Sequence, residues 1–370
     1  PIINGLSPSS HPTQVLSDVF TAEEIKKKPI SKLNICWIGD SNNVLDSLIA
    51  ASVKFSFKLS VGCPKNFEPG KEVRAWVKNN NKKIFNSKKF TEVNGKKMAY
   101  IDEGSGDTVL FLHGNPTSSF LWRNIAPYLE DTNRVVIPDL IGMGDSEKLD
   151  GENNPGYKYH GQYEYLTGLM DNLELGNSIN LVIHDWGSAM GFQFAREHPE
   201  RINSITYMEA VVMPLSWEQW PDAATKIFEL FRSETGEELV LEKNFFVERI
   251  LLADSVSGYT DEEKEEYIRP FKNAGEDRRP TLTWPRQIPL DGEPKEVVEE
   301  VEKNADFHKN SDIPKLFINA EPGSILTGDQ REFVRTWKNQ KEVTVKGNHF
   351  IQEDSADEIG AALREFVTNL

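Results

Sequence analysis

Three side chains, far apart in the chain, are of the types needed to displace a leaving group from an sp³ carbon and then hydrolyse the product. Asp185 lies in Ile183-His184-Asp185-Trp186-Gly187. An apolar run, Ile179 to Ile183, precedes it and reads as a buried strand. The small-residue stretch Ser188-Ala189-Met190-Gly191-Phe192 follows and reads as the opening of a helix. A side chain on such a strand-to-helix turn stands clear of the backbone as a nucleophile. Where a serine there would serve ester chemistry, a carboxylate attacks carbon by displacement and leaves an alkyl ester on the protein. That directs attention to alkyl halides or epoxides. The ester persists unless a base activates water. His349, in Gly347-Asn348-His349-Phe350 after the last predicted strand, is placed to loop back towards Asp185. The histidine in turn needs an acid to fix its tautomer. Glu209 ends the strand Tyr207-Met208-Glu209-Ala210 among apolar neighbours, where an unpartnered carboxylate is costly; Glu321, after the strand Leu316–Ile318, is its rival.

The leaving group also needs a partner. His113-Gly114-Asn115-Pro116 follows the first buried strand, where backbone N–H groups can face the nucleophile. Asn115 adds a side-chain N–H and Trp186 a donor-only indole. Two uncharged donors in an apolar pocket hold a halide without retaining it. Alone, Trp186 reads as packing and Asn115 as a turn residue; flanking one aspartate, they read as a leaving-group site.

These groups require a scaffold of short strands alternating with helices. Residues 88–102 read as an edge hairpin around Asn94-Gly95. Further strands fall at Val109–Leu112, Arg134–Pro138, Leu181–Ile183, Ile202–Met208, Lys315–Ile318 and Glu342–Val345, with helical periodicity at Tyr163–Leu173 and Ala356–Val367. The pattern is α/β: a mostly parallel sheet covered on both faces, with the nucleophile on the elbow of the α/β-hydrolase fold. About residues 211–306 interrupt it with amphipathic helices and large aromatics, and read as a helical cap over the site.

Composition narrows the function classes. Lys and Arg number 42 against 58 Asp and Glu, a net charge of −16, which argues against nucleic acid as the main partner. Residues 1–83 carry +5 and the remainder −21, as expected of segments of different origin or of a lysine-rich linker. Cys36 and Cys63 are the only cysteines, too few and wrongly spaced for a disulfide framework or a zinc site. Apolar runs are too short to span a bilayer, so a soluble protein of the reducing cytoplasm is expected. The start at Pro1 suggests a fragment or a processed form. Residues 1–83 read as one βαβ unit, partial and Rossmann-like. It comprises a strand at 33–40, a helix at 43–55 and a strand at 57–61, without a complete core of its own. Residues 78–84 read as a linker and 85–370 as the catalytic unit.

Residues 85–370 resemble the haloalkane dehalogenases. The match is dense at Lys97–Gly104, His113–Ser119, Asp139–Gly144, Arg279–Pro289 and Phe317–Gly323. It looks nearest to the subgroup containing the dehalogenase of lindane-degrading soil bacteria, whose acid follows the strand after the nucleophile. The resemblance implies Asp185 as nucleophile, His349 as base, Glu209 as supporting acid, and Asn115 with Trp186 as halide ligands. It implies a pocket of Trp220, Phe228, Phe246, Trp284, Pro285, Ile288, Ile325 and Phe350. It implies no cofactor, with a haloalkane and water as substrates; a monomer or weak oligomer is expected as the working form. Two departures stand out. Ile183 replaces the first glycine of the general elbow motif, and Ile250–Tyr259 differs from the family's proline-containing turn where tunnel lining is expected.

Residues 1–77 resemble part of an ornithine carbamoyltransferase, through His11-Pro12-Thr13-Gln14 and Trp37-Ile38-Gly39-Asp40-Ser41-Asn42-Asn43. That family's Ser-x-Arg-Thr and His-Cys-Leu-Pro motifs are absent, so no carbamoyl transfer is expected, and His11 and Asn43 are expected to be structural. Rival readings remain. An epoxide hydrolase would need two cap tyrosines, for which Tyr259 and Tyr267 are candidates. A coelenterazine luciferase of the sea-pansy type keeps the same five site residues. The leader could also be an interaction module, or leave the hydrolase inactive.

Overall fold

The computed structural model describes residues 6–8, 10–55, 57–70, 73, 88–220 and 222–370, in two units, Pro1–Asn86 and Ser87–Leu370. The expected linker, 78–84, lies outside the described residues.

The larger unit is built on eight strands: β3 (Lys89–Val93), β4 (Lys96–Gly104), β5 (Thr108–Leu112), β6 (Arg134–Pro138), β7 (Ile179–His184), β8 (Ile202–Ala210), β9 (Lys315–Pro322) and β10 (Gln340–Gly347). Their order across the sheet is β10-β9-β8-β7-β5-β6-β4-β3. All neighbours are parallel except β3 with β4 and β4 with β6. Every residue of β5 and β7 is buried, because helices cover both faces, and this is why their sequences run apolar instead of alternating. The hairpin turns at Asn94-Gly95, both at positive φ, as a two-residue turn requires.

Between β8 and β9 lies the cap, whose own core is Phe231, Val240, Leu241, Phe246 and Leu282. It ends earlier than the sequence suggests. The helix Lys295–Asn310, counted in the cap from its amphipathic pattern, instead belongs to the layer beside the elbow helix. It packs on the helix Asp185–Glu197, with Asn304 Nδ2 donating to the Ala189 carbonyl at 3.3 Å and the His308 ring to the Phe192 carbonyl at 2.9 Å. Arg196 pairs with Glu300. An apolar stripe records that a helix is covered on one side, and cannot say by what.

Burial holds His308 neutral, with a pKa pushed down to about 3. The folded value lies below the unfolded one, so the contribution to stability is complete above the imidazole's ordinary pKa and is lost as pH falls from about 6.5 towards 3. The melting temperature is therefore expected to drop between about pH 7 and pH 4. His308→Gln, which can still donate to the Phe192 carbonyl, should flatten that drop; an unchanged slope would remove His308 from the account.

The smaller unit contains the expected βαβ piece: β1 (Asn34–Ile38), the helix Asn43–Phe55 and β2 (Lys58–Gly62), with β1 and β2 parallel. It also contains a helix the sequence reading left out, Pro12–Lys26. Its Val15 and Val19 join Ile30, Leu48, Ala51 and Phe57 in a small core, so this segment does have a core of its own. His11 and Asn43 have local structural uses. The His11 amide donates to Ser47 Oγ at 2.7 Å, and Asn43 Nδ2 donates to the Ser7 carbonyl at 2.9 Å. Among the described residues no helix is long and apolar enough to cross a membrane.

Candidate active site

Five loops leave the C-terminal ends of parallel strands and converge, as ligand-binding loops do in open α/β sheets. β7 delivers Asp185 on a tight turn where its φ is +49°, a conformation that non-glycine residues adopt only under constraint. The neighbouring loops make room for it. A Cβ on Gly114 would lie 2.0 Å from Asp185 Oδ1, and one on Gly187 would lie 2.4 Å from the Leu112 carbonyl. Glycine two residues after the nucleophile lets the helix Asp185–Glu197 start against β5. Ile183, in place of the motif's first glycine, is buried on β7 and packs against Gly191.

Asp185, His349 and Glu209 form one chain of contacts. Asp185 Oδ1 accepts the Asn115 amide at 2.6 Å, and its Oδ2 lies 3.4 Å from His349 Nε2. His349 Nδ1 is 3.2 Å from Glu209 Oε2, which also accepts the amides of Ser324 and Ile325 at 3.1 and 2.8 Å. Glu209 is 1% exposed with φ +40°; the β9 loop amides gather on Oε2 of a carboxylate that burial alone would disfavour, while its Oε1 is buried without a hydrogen-bond partner among the described residues. Glu321 is exposed at the end of β9. His184 supports the base from behind, its ring 2.9 Å from the His349 carbonyl.

Electrostatics divide the roles. Burial works to raise the Asp185 pKa, but the hydrogen bond and charge of His349 outweigh it and hold the carboxylate below its usual range. Burial works to lower the His349 pKa, but Asp185 and Glu209 together raise it to about 10. His184 is driven to about 3, by burial first and then by the charge of His349. The resting site therefore pairs a carboxylate with an imidazolium beside a neutral histidine.

Above Asp185 lies a cavity of about 430 Å³. Its lining includes Asn115, Trp186, Trp220, Phe228, Phe246, Pro285, Ile288, Ile325 and Phe350. Trp284 does not line it. It is fully buried behind Trp186, with ring centroids 4.5 Å apart and planes at 23°. It braces the pocket wall, because the Pro285 side of its helix takes the cavity position. Sequence reasoning missed Val211, Met213, Leu215 and Ile227; the first three directly follow the strand that carries Glu209, a signal that could have found them. The segment Ile250–Tyr259 contributes Ile250 and Asp254. The tyrosines considered for epoxide protonation are not in the lining. Tyr259 donates to the Leu251 carbonyl at 3.2 Å, and buried Tyr267 hydrogen-bonds Glu353.

Sheet order, elbow and cap together define an α/β-hydrolase with an aspartate on the elbow, and the family model for the alpha/beta hydrolase fold matches residues 107–356. The haloalkane dehalogenase of Sphingobium indicum is 54% identical over 288 residues, 78% of this chain and 97% of that protein. The chain belongs to the haloalkane dehalogenase family. The crystal structure of haloalkane dehalogenase DbeA from Bradyrhizobium elkani superimposes with a TM-score of 0.73 at 35% identity, covering 76% of this chain and 98% of that one. A coelenterazine h 2-monooxygenase of Renilla reniformis is 43% identical over 70% of this chain and 83% of its own length. The model for the aspartate/ornithine carbamoyltransferase Asp/Orn-binding domain matches residues 31–110. That span includes Trp37–Asn43 and leaves out His11.

Proposed function

We propose that this chain hydrolyses haloalkanes to an alcohol, a halide and a proton. The observation that carries the reading is a carboxylate on the elbow, facing an apolar cavity with a histidine 3.4 Å from its Oδ2. Oδ1 of Asp185 is held by the Asn115 amide, which leaves Oδ2 to attack carbon. The carbon–halogen bond breaks with its electron pair on the halide, which Asn115 and Trp186 receive, and an ester forms at Asp185.

Esterification removes the negative charge next to His349. One of the two supports of its raised pKa disappears, so the imidazolium loses its proton to solvent and becomes a base. It then takes a proton from water, and the hydroxide adds to the ester carbonyl. The resulting charge on Oδ1 is stabilised by the amides of Asn115 and Trp186. Collapse releases the alcohol and restores the carboxylate–imidazolium pair, with Glu209 stabilising the charged ring. The reaction as written consumes only haloalkane and water.

The test is halide release from butyl bromide or ethylene dibromide by the purified chain. Light from coelenterazine, or diol from an epoxide, without halide release would move the chain to another chemistry. In this reading residues 1–77 are a carbamoyltransferase-like segment without carbamoyl transfer, and the protein is a cytoplasmic monomer or weak oligomer. The free Cys36 and Cys63 suit a reducing compartment. Deleting residues 1–83 is expected to leave kcat/KM within about threefold; a larger loss would give the leader a role in catalysis.

A further inference from the structure

The cavity wall contains an acid that the reaction above does not use. Asp254 ends the short cap helix Leu252–Asp254 and lines the cavity. Its Oδ2 accepts the Phe350 amide at 2.9 Å, and its carbonyl accepts Asn348 Nδ2 at 2.7 Å. Asn348 and Phe350 are the two chain neighbours of His349. The stitching is returned from the other side, where Asp354 accepts Ser255 Oγ, the Val256 amide and the Ser257 amide at 2.8, 3.2 and 2.9 Å. The cap segment 254–257 and the loop 348–354 are thus joined by five hydrogen bonds, with one carboxylate supplied by each partner.

A carboxylate among apolar side chains is unfavourable unless it is paired. Burial raises the Asp254 pKa, and the charge of His349 with the amides of Phe350 and His349 works against that rise. An apolar residue would line the cavity at lower cost, but would leave the Phe350 amide without an acceptor. The contact at stake is the longest in the catalytic chain, the 3.4 Å between His349 Nε2 and Asp185 Oδ2, and misplacing a catalytic group by about 1 Å can cost about 100-fold.

We propose that Asp254 is a positioning residue for the hydrolytic half of the reaction, its carboxylate reaching from the cap to hold the backbone amide of Phe350, directly after His349. The proposal rests on the haloalkane reading, and it predicts a split between the two chemical steps. Displacement uses Asp185, which the core strands position, and needs His349 only as a nearby charge, so it should be the less affected step. Ester hydrolysis uses His349 and should.

Rapid mixing with butyl bromide separates the steps: the burst of halide reports displacement, and decay of the butyl-enzyme reports hydrolysis. In Asp254→Leu, hydrolysis is expected to slow by about 10- to 100-fold, with displacement within about threefold. Asp254→Asn keeps an oxygen acceptor for the Phe350 amide and is expected to restore both steps to within about threefold of wild type. If Asp254→Leu does not fold, Asp254→Ala carries the same comparison. Normal hydrolysis in the Leu or Ala variant overturns the proposal, as does an equal loss in both steps or an Asn variant as slow as Leu. A wild-type chain that turns over alongside such variants leaves the haloalkane reading standing, and one that releases no halide overturns both.

Discussion

Replacing His349 by phenylalanine is expected to give a protein that releases one halide per chain from butyl bromide and then stops, carrying a butyl ester on Asp185. Phenylalanine fills the same space between His184 and Phe350, whose rings lie 4.6 and 4.7 Å from that of His349, but it can neither accept a proton from water nor pair with Glu209. A general base typically contributes about 10²- to 10⁴-fold, so hydrolysis should fall by about that factor, while displacement, which loses the His349 charge that opposes burial at Asp185, slows but continues. Intact-protein mass spectrometry reads the result directly, as a gain of one butyl group that peptide mapping places on Asp185. Multiple turnovers at the wild-type rate, or a halide burst with no mass gain, would remove His349 from the role of base.

The same reasoning fixes the pH dependence of the wild type. The pKa of about 10 belongs to the resting site, where Asp185 is charged. In the butyl-enzyme that charge is gone. The acid limb of turnover should therefore follow a much lower value, nearer the ordinary imidazole pKa of about 6.5, with activity lost below it because the base is protonated. A limb near pH 10 would mean that His349 keeps its proton through the ester stage.

The placement of the site residues was legible because they lie where strand periodicity stops. The apolar run before Asp185, the small residues after it, the acid ending β8 and the histidine after β10 each mark the end of a parallel strand, and such ends converge in this fold. Trp284 was misplaced for a different reason. A helix carrying Trp284 and Pro285 side by side sends one towards the cavity and the other behind it, and nothing local in the sequence decides which. The helix Pro12–Lys26 was missed because its buried stripe is thin, with Val15 and Val19 its only buried residues. Asp254 was passed over because its carboxylate is held by a backbone amide nearly a hundred residues away. A backbone amide has no sequence signature.

Substituting Asp185 is expected to have the largest effect of any single change, and it tests whether position or mere charge makes the nucleophile. Asp185→Ala should abolish halide release, a loss of at least about 10⁴-fold. The two other carboxylates near the cavity cannot take over, since Asp254 is bonded to the Phe350 amide and Glu209 to His349, Ser324 and Ile325. Asp185→Glu is the sharper variant. It keeps the charge and adds one methylene, but Oδ1 already sits 2.0 Å from where a Gly114 Cβ would be and 2.6 Å from the Asn115 amide. The longer arm has no room to keep that hydrogen bond and present its second oxygen to substrate. Halide release should therefore fall nearly as far as in the alanine variant, while the fold, read by circular dichroism, stays intact. A glutamate variant that retained a tenth of the activity would show that the turn at φ +49° and the glycine facing it are not what sets the nucleophile.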